Sequence, residues 1–166
     1  KHAGYKLIGK WPPNLTAKNV LISHNDFVGP PPPVNPRQVH YQINGNGFRG
    51  ALPTTFHTNC TTIQADSMHD DNPQGKFFFG KGKTMLTFTI GPSTLSSNIN
   101  LKTLKLGAGQ YYRQFRNKVT IDGIPLFSST QKLKTITLNH CGLSEEEASN
   151  FLIGLKNRGT TNGSVN

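Results

Sequence analysis

Apolar residues recur along the chain at the spacing of a short inward-facing strand that is followed by a polar bend. The clearest case is LKTITLNHCGL, whose apolar positions are Leu133, Ile136, Leu138, Cys141 and Leu143. Because alternate residues of a strand point to the same side, this spacing predicts a strand with one buried face. The Asn or Cys after the strand is predicted to turn inward, where its polar side chain can bond backbone groups in the bend.

The same frame recurs at six further places along the chain. It carries asparagine at the bend in NVLISHNDF (Asn25) and in HYQINGNGFRGALP (Asn46). The central apolar positions of the seven copies are residues 20, 41, 63, 88, 104, 119 and 136. We expect each strand to lie beside the next in one series, so that a core forms only when several coils stack.

This frame resembles the leucine-rich-repeat consensus, and the resemblance covers most of residues 14–166. It implies a mainly β fold, namely an irregular solenoid of short parallel strands with one C-terminal helix. The first three gaps between copies have the usual length of about 20–29 residues, whereas the last three are shorter. A sandwich of short antiparallel strands is the alternative fold.

The last coil, GLSEEEASNFLIGLKNRGTTNGSVN, is similar to the terminal repeats of phage virion proteins and bacterial surface proteins. That similarity implies a place on a virion or an extracellular cell surface, as part of a larger assembly. The chain starts with Lys1 rather than Met, so we expect a processed protein or a fragment of a longer one. Residues 1–166 are expected to form a single repeat-type domain.

Three consecutive glutamates in this coil predict the start of a helix. Ser144 and Glu147 form the S-x-x-E pattern of a capping box, and acidic side chains in the first turn suit the helix dipole. Lys156 and Arg158 fall in the last turn, and Gly159 marks the end. The glutamates are therefore interpreted as structural.

One face of this helix carries apolar residues at helical spacing. Its members are Ala148, Phe151, Leu152 and Leu155. We expect Phe151, Leu152 and Leu155 to pack onto the strand formed by residues 134–138.

The charge balance is strongly basic. The chain has 18 Lys and Arg against 8 Asp and Glu, which gives a net charge of +10. Such a chain attracts anionic glycans, nucleic acids or acidic protein surfaces, by a force that salt screens. The alternative is that the charge only keeps the protein soluble. No stretch of sequence is long and apolar enough to span a membrane.

The segment GQYYRQFRNK, residues 109–118, interleaves aromatic and cationic side chains. Aromatic rings can stack on bases or sugars while arginines hold anionic groups. The predicted ligand-binding residues are Tyr111, Tyr112, Arg113, Arg116 and Lys118, together with Lys76, Lys81 and Lys83. Lys102 and Lys105 are expected to extend the same basic patch. Alternatively, Tyr111 and Phe115 are buried and the cations form a solvated face.

Catalytic and metal-binding patterns are weak. The potential metal ligands are His57, Cys60, His69, Asp70 and Asp71, but their spacing matches no recognised zinc motif. Glycoside hydrolysis would need two carboxylates in a cleft, and nuclease chemistry would need paired histidines. Neither is placed together by the sequence, so we expect no cofactor, no metal and no catalytic residue.

The two cysteines, Cys60 and Cys141, are predicted to be free thiols. If the coils stack in chain order, they lie about four coils, or roughly 19 Å, apart. A disulfide needs Cα atoms within about 7 Å. Cys141 is expected to be buried.

These observations favour a non-enzymatic binding or structural module of a phage particle or bacterial surface, which contacts an anionic polymer or an acidic protein surface. A basic nucleic-acid-binding protein is the first alternative. A polysaccharide-acting enzyme is the second.

Overall fold

The computed structural model describes residues 7–66, 84–107, 116–158 and 164–165. In these ranges the chain forms short strands and one helix. The elements are β1 (Ile8–Lys10), β2 (Asn19–Leu21), β3 (Asp26–Gly29), β4 (His40–Gln42), β5 (Gly47–Phe48), β6 (Gly50–Ala51), β7 (Thr62–Gln64), β8 (Thr84–Ile90), β9 (Thr103–Lys105), β10 (Arg116–Ile121), β11 (Thr135–Thr137), α1 (Glu145–Asn157) and β12 (Ser164–Val165).

The largest sheet has six strands, in the order β2–β4–β7–β9–β11–β12. All of its neighbouring strands are parallel, and they follow one another in chain order. The residues in register at the strand centres are Val20, Tyr41, Ile63, Leu104, Ile136 and Val165. Five of these six centres were predicted from the apolar pattern and are confirmed.

The prediction of one series of seven strands is wrong at positions 88 and 119. Phe88 and Val119 pair with each other in a separate parallel sheet of order β6–β8–β10. A third sheet has the order β1–β3–β5. Strands of these two smaller sheets alternate along the chain with those of the six-stranded sheet. Strands of the six-stranded sheet and of the smaller sheets have the same apolar alternation, so the sequence pattern cannot tell which sheet a strand joins. The short gaps between the later copies of the frame arise because consecutive copies belong to different sheets.

The sheets share one apolar core. Val20, Tyr41, Phe88 and Val119 all belong to the same cluster of buried residues. Every strand pairing in the described part of the chain is parallel, so the antiparallel sandwich is excluded there. The mainly β class with a C-terminal helix is confirmed.

Asparagine side chains hold the predicted bends. Nδ2 of Asn46 donates to the carbonyl oxygen of Ile22 at 2.7 Å, and its Oδ1 accepts from the backbone nitrogen of Phe27 at 3.2 Å. Nδ2 of Asn25 also donates to Ile22, at 3.0 Å, while its Oδ1 accepts from the backbone nitrogen of Leu7 at 3.0 Å. Buried backbone groups need such partners, so each asparagine joins two neighbouring segments of chain.

A third asparagine, which the sequence pattern did not single out, has the same role. Asn117 is buried in β10, and its Nδ2 donates to the carbonyl oxygens of Ala65 at 2.6 Å and Leu106 at 2.7 Å. Its Oδ1 accepts from the backbone nitrogen of Leu86 at 3.2 Å. In the copy of the frame centred on Leu104, the repeat spacing places Gly109 at the bend, and Gly109 lies outside the described residues.

The backbone before these bends is also alike. His24, Gly45 and His140 have φ angles of 57°, 67° and 57°, in the left-handed region that most residues avoid. A Cβ on Gly45 would lie 2.5 Å from Nδ1 of His24. His24 and His140 adopt this backbone conformation with a side chain, so glycine is favoured at position 45 mainly because a Cβ would collide with His24.

The capping box of α1 is confirmed. The Ser144 side chain accepts from the backbone nitrogen of Glu147 at 3.2 Å, and the Glu147 carboxylate accepts from the backbone nitrogen of Ser144 at 2.7 Å. At the other end the guanidinium of Arg158 donates to the carbonyl oxygen of Leu133 at 2.8 Å. Gly159 lies outside the described residues. No helix within the described ranges is long and apolar enough to cross a membrane.

The predicted packing of α1 is wrong in two respects. Leu152 is 54% exposed, whereas Phe151 and Gly154 are the buried residues of the helix. The ring of Phe151 meets that of Phe127 edge to face at 5.3 Å, and the helix contacts β10. The chain leaves the six-stranded sheet after β11, so α1 lies beside the other sheet rather than on residues 134–138.

Both cysteines are free and Cys141 is buried, as predicted, and Cys60 is buried as well. The Cys60 thiol donates to the carbonyl oxygen of Thr62 at 3.4 Å, and that of Cys141 donates to Leu106 at 3.6 Å. Burial raises the pKa of Cys60 to about 11 and that of Cys141 to about 12. Cys141 thus occupies the bend position that asparagine fills elsewhere.

Candidate anion-binding surface

The outer side of the six-stranded sheet is polar. In β2, β4, β7, β9 and β11 the central residue is buried, so the residues on either side of it point away from the core. We call these ten residues the sheet face: Asn19, Leu21, His40, Gln42, Thr62, Gln64, Thr103, Lys105, Thr135 and Thr137. None of the ten is acidic. Amides, hydroxyls, one imidazole and one ammonium group dominate the surface.

A row of backbone hydrogen bonds runs along the N-terminal ends of these strands. Each bond joins the residue before one strand to the residue before the next: Val39 to Lys18 at 2.9 Å, Thr61 to Val39 at 2.8 Å, Lys102 to Thr61 at 2.9 Å and Lys134 to Lys102 at 2.9 Å. Three of these five equivalent positions therefore carry lysine.

Exposed cations concentrate along this row. We call Lys18, Arg37, Lys102, Lys132 and Lys134 the basic edge; all five side chains are exposed. Lys102 and Lys134 stand at equivalent positions of adjacent strands, whose backbones are about 4.8 Å apart. Like charges placed side by side across strands are destabilising. The basic edge therefore concentrates positive charge, which attracts anionic partners.

The described acidic residues lie outside the basic edge. The described acidic residues are Asp26 in β3, Asp66 after β7, Asp122 after β10, and Glu145, Glu146 and Glu147 in α1. Within the basic edge, Nζ of Lys132 donates to Oδ1 of Asn100 at 2.6 Å, which is a neutral acceptor. The described carboxylates are thus segregated from the basic edge and the sheet face.

A cleft opens at the same end of the sheet. Its volume is ≈ 610 Å³, within the range of about 300–1,000 Å³ that is usual for small-molecule sites. Its lining residues are Lys18, Arg37, Val39, His57, Asn59, Thr61 and Asn100. The lining offers two permanent cations and several hydrogen-bonding groups, and none of these seven residues carries a carboxylate.

One wall of the cleft is a fixed turn. The backbone nitrogen of Cys60 donates to the carbonyl oxygen of His57 at 2.8 Å, which closes the turn. Nδ2 of the fully buried Asn98 donates to the carbonyl oxygens of Phe56 and His57, both at 3.1 Å. The backbone at His57 is therefore anchored by a buried side chain.

The hydrogen bonds of His57 also define its tautomer. The backbone nitrogen of Asn59 donates to Nδ1 of His57 at 3.2 Å. Nδ1 is thus an acceptor, so the neutral ring carries its proton on Nε2. The ring can therefore donate one hydrogen bond from Nε2.

The residues predicted from the segment 109–118 fall only partly within the described structure. Lys118 is exposed on β10, and the backbone of Arg116 pairs with Thr84 at the start of that strand. The predicted ligand residues outside the described part are Tyr111, Tyr112, Arg113, Lys76, Lys81 and Lys83. The proposed role of this segment stays a prediction.

The described members of the predicted basic patch lie on two sheets. Lys118 belongs to the β6–β8–β10 sheet, whereas Lys102 and Lys105 belong to the six-stranded sheet. Sequence reasoning missed Lys18 and Lys134. A signal was present, because lysine stands two residues before the central apolar residue in KNV, KTL and KTI.

The candidate metal ligands do not converge where the structure describes them. His57 lines the cleft, whereas the thiol of Cys60 is buried. His69, Asp70 and Asp71 lie outside the described residues. Within the described ranges, no three His, Cys, Asp or Glu side chains gather to hold a metal ion.

Comparisons with protein-family models, with curated proteins and with solved structures gave no match to this chain. Its class and function are therefore inferred from its own residues and geometry.

Proposed function

We propose that this protein is a non-enzymatic binding or structural module, built as an irregular leucine-rich-repeat-like solenoid, which contacts an anionic polymer or an acidic protein surface through the basic edge and the sheet face. The observation that carries the proposal is the adjacent pair Lys102 and Lys134, joined by a backbone hydrogen bond of 2.9 Å. Two exposed ammonium groups at equivalent positions of neighbouring strands place positive charge side by side, where one extended anion can contact both.

The solenoid assignment is supported by the order and the register of the strands. Parallel strands that pair in chain order, with each central residue beside the next, are what stacked repeats produce. Asn25 and Asn46 bond the preceding segment in the same way, and His24 and Gly45 share a left-handed backbone. These equivalences extend beyond the strands themselves to the bends.

The anionic ligand is supported by the segregation of charge. A surface that only confers solubility usually mixes both signs of charge. The basic edge has five exposed cations, and the ten residues of the sheet face beside it include no carboxylate. Amide and hydroxyl groups on that face can bond the polar groups of a polymer that lies across the strands.

Placement on a phage particle or a bacterial surface is part of the proposal. It is supported by the similarity of the last coil, residues 142–166, to terminal repeats of proteins found there. An antibody raised against the protein should label intact particles or intact cells without permeabilisation. Labelling that needs permeabilisation contradicts this placement.

Two triple variants with equal loss of charge test the binding surface. Lys102→Ala with Lys132→Ala and Lys134→Ala removes three cations from the basic edge. Arg113→Ala with Arg116→Ala and Lys118→Ala removes three from the segment predicted by sequence. Binding to inorganic polyphosphate, heparin and polyglutamate is measured at several salt concentrations, with thermal unfolding as a control for folding.

We expect the basic-edge variant to lose affinity for at least one of these probes and to show a flatter salt dependence, because fewer counterions are released on binding. Loss of affinity in the second variant alone would assign the contact to residues 109–118. If both variants bind like the parent at low salt, the cations are a solvated face and the proposal is wrong.

The two alternative functions have their own readouts. A nucleic-acid-binding protein would bind a single-stranded oligonucleotide more tightly than polyphosphate of equal charge. A polysaccharide-acting enzyme would release new reducing ends, a reaction that generally needs two carboxylates beside the bond.

A further inference from the structure

The cleft beside the basic edge has a more selective chemistry than the edge itself. We infer that it is a binding site for a phosphorylated sugar, with a phosphomonoester held by Lys18 and Arg37. The inference rests on the proposed function, since it treats the cleft as the place where one unit of an anionic glycan is recognised. Lys18 and Arg37 belong to both surfaces, whereas Lys102, Lys132 and Lys134 do not line the cleft.

The charge of the cleft selects a dianion. Lys18 and Arg37 come from adjacent segments, because the backbone nitrogen of Val39 donates to the carbonyl oxygen of Lys18 at 2.9 Å. No carboxylate is among the seven lining residues, so the two cations face the cleft without compensation from its walls. A phosphomonoester carries nearly two negative charges at neutral pH, whereas a sulfate ester or a carboxylate carries one.

Arginine adds a geometric preference to this charge. The guanidinium group presents parallel N–H donors that match two oxygens of one phosphate, which an ammonium group cannot do. Nε2 of His57 supplies a further donor, since Nδ1 already accepts from the backbone nitrogen of Asn59 at 3.2 Å. The site thus combines two charges with directional donors.

The remaining walls suit a sugar ring. Val39 provides an apolar surface, and Asn59, Thr61 and Asn100 provide amide and hydroxyl groups. The Thr61 hydroxyl is already oriented, because it lies 3.3 Å from the carbonyl oxygen of Val39 and 3.2 Å from Nδ1 of His40. A volume of ≈ 610 Å³ accommodates a phosphorylated monosaccharide.

The cleft is also organised before any ligand binds. The buried side chain of Asn98 fixes the turn that carries His57, and Nδ2 of Asn100 donates to the carbonyl oxygen of Thr58 at 3.3 Å. Donors that are already in place lose less entropy when they bind. Binding therefore needs little additional ordering of this wall of the cleft.

The test compares glucose 6-phosphate, glucose 6-sulfate and glucose by isothermal titration calorimetry at pH 7.5. We expect glucose 6-phosphate to bind at least about tenfold more tightly than the sulfate, and glucose to bind undetectably. At pH 5 the preference for phosphate should shrink, because the phosphomonoester becomes a monoanion below a pKa of about 6. Lys18, Arg37 and His57 line the cleft for both esters, so the comparison keeps the protein groups the same and varies only the charge of the ligand.

Three variants locate the site. Arg37→Ala should reduce binding of glucose 6-phosphate by at least about tenfold, whereas Arg37→Lys keeps the charge and should weaken binding less while retaining the preference for phosphate over sulfate. Lys156→Ala removes an exposed cation of α1 that belongs to neither the cleft nor the basic edge, and it should leave glucose 6-phosphate binding unchanged. Thermal unfolding of each variant checks that the fold is retained.

The outcomes separate this inference from the proposed function. If polyphosphate or heparin binds through the basic edge while glucose 6-phosphate fails to bind at millimolar concentration, the cleft inference is wrong and the proposed function stands. Equal affinity for phosphate and sulfate esters also overturns it. If a 5′-phosphorylated dinucleotide binds more tightly than glucose 6-phosphate, the ligand of the cleft is a nucleotide and the inference of a phosphorylated sugar is wrong.

Discussion

The carboxylate of Glu147 accepts a hydrogen bond from the backbone nitrogen of Ile121, 26 residues earlier in the chain, at 3.2 Å. The same carboxylate accepts from the backbone nitrogen of Ser144 at 2.7 Å. One acidic side chain therefore accepts hydrogen bonds from two backbone N–H groups, one at the start of α1 and one at the end of β10. A basic chain gains from an acidic residue here because both partners are backbone N–H groups that would otherwise need another acceptor.

Glu147→Gln is expected to lower the free energy of unfolding by about 1 kcal/mol, since it replaces a charged acceptor in the capping box by a neutral one. Glu146→Gln is the matched control, because Glu146 is an exposed acid in the same turn. Urea unfolding at pH 7 measures both. An equal effect of the two variants would show that only the helix dipole matters.

The effect of Glu147→Gln should depend on pH. The hydrogen bond from the Ser144 backbone, and to a lesser degree that from Ile121, holds the pKa of Glu147 below its ordinary value. A depressed pKa contributes stability that is present above the unfolded-state pKa and is lost as pH falls through the folded-state pKa. The difference between parent and variant should therefore shrink below pH 4. A difference that is constant with pH would contradict this role of the carboxylate.

Gly154→Ala should destabilise the protein, although alanine is favoured over glycine in helices by about 1 kcal/mol. A Cβ at this position would lie 2.5 Å from the carbonyl oxygen of Pro125 and 3.3 Å from the ring of Phe127. We expect a net loss of about 1–3 kcal/mol, because the helix must move away from residues 125–127. Ser149→Ala, at an exposed site of α1, is the control and should be neutral or slightly stabilising. Stabilisation by Gly154→Ala in thermal unfolding would show that the helix is not so closely packed.

Phe151→Ala and Leu152→Ala should lower the free energy of unfolding by very different amounts, although the two residues are adjacent in the chain. Phe151 is 2% exposed and contacts the ring of Phe127, whereas Leu152 is 54% exposed. We expect a loss of about 3–5 kcal/mol for the first and less than about 1 kcal/mol for the second. A double-mutant cycle of Phe151→Ala with Phe127→Ala should give a coupling of about 0.5–1.5 kcal/mol. Additive effects would contradict the edge-to-face contact.

The two thiols should resist alkylation in the native protein. Burial raises the pKa of Cys60 to about 11 and that of Cys141 to about 12, so little thiolate forms at neutral pH. Iodoacetamide at pH 8 should label neither cysteine natively and both in urea, as mass spectrometry can measure. Stability should fall as pH rises above 9, because the unfolded state then releases thiol protons that the folded state retains. Rapid native labelling of Cys141 would contradict its buried position.

The sequence by itself determined the local features of this protein. Alternation of apolar residues placed the strand centres at Val20, Tyr41, Ile63, Leu104 and Ile136, because each strand hides one side of a pleated backbone. The Ser144–Glu147 cap was also predictable, since its partners are three residues apart. The asparagine bends at Asn25 and Asn46 followed from the same repeating frame.

The tertiary structure alone decided which strands are neighbours and where the cations meet. Phe88 and Val119 have the same alternation as Ile63 and Leu104, but they belong to another sheet, because strand pairing depends on long-range packing rather than on local pattern. The burial of Phe151 and the exposure of Leu152 depend on where α1 lies beside β10. Lys18, Arg37 and His57 are distant in sequence and line one cleft only because parallel strands place their N-terminal ends along the same edge.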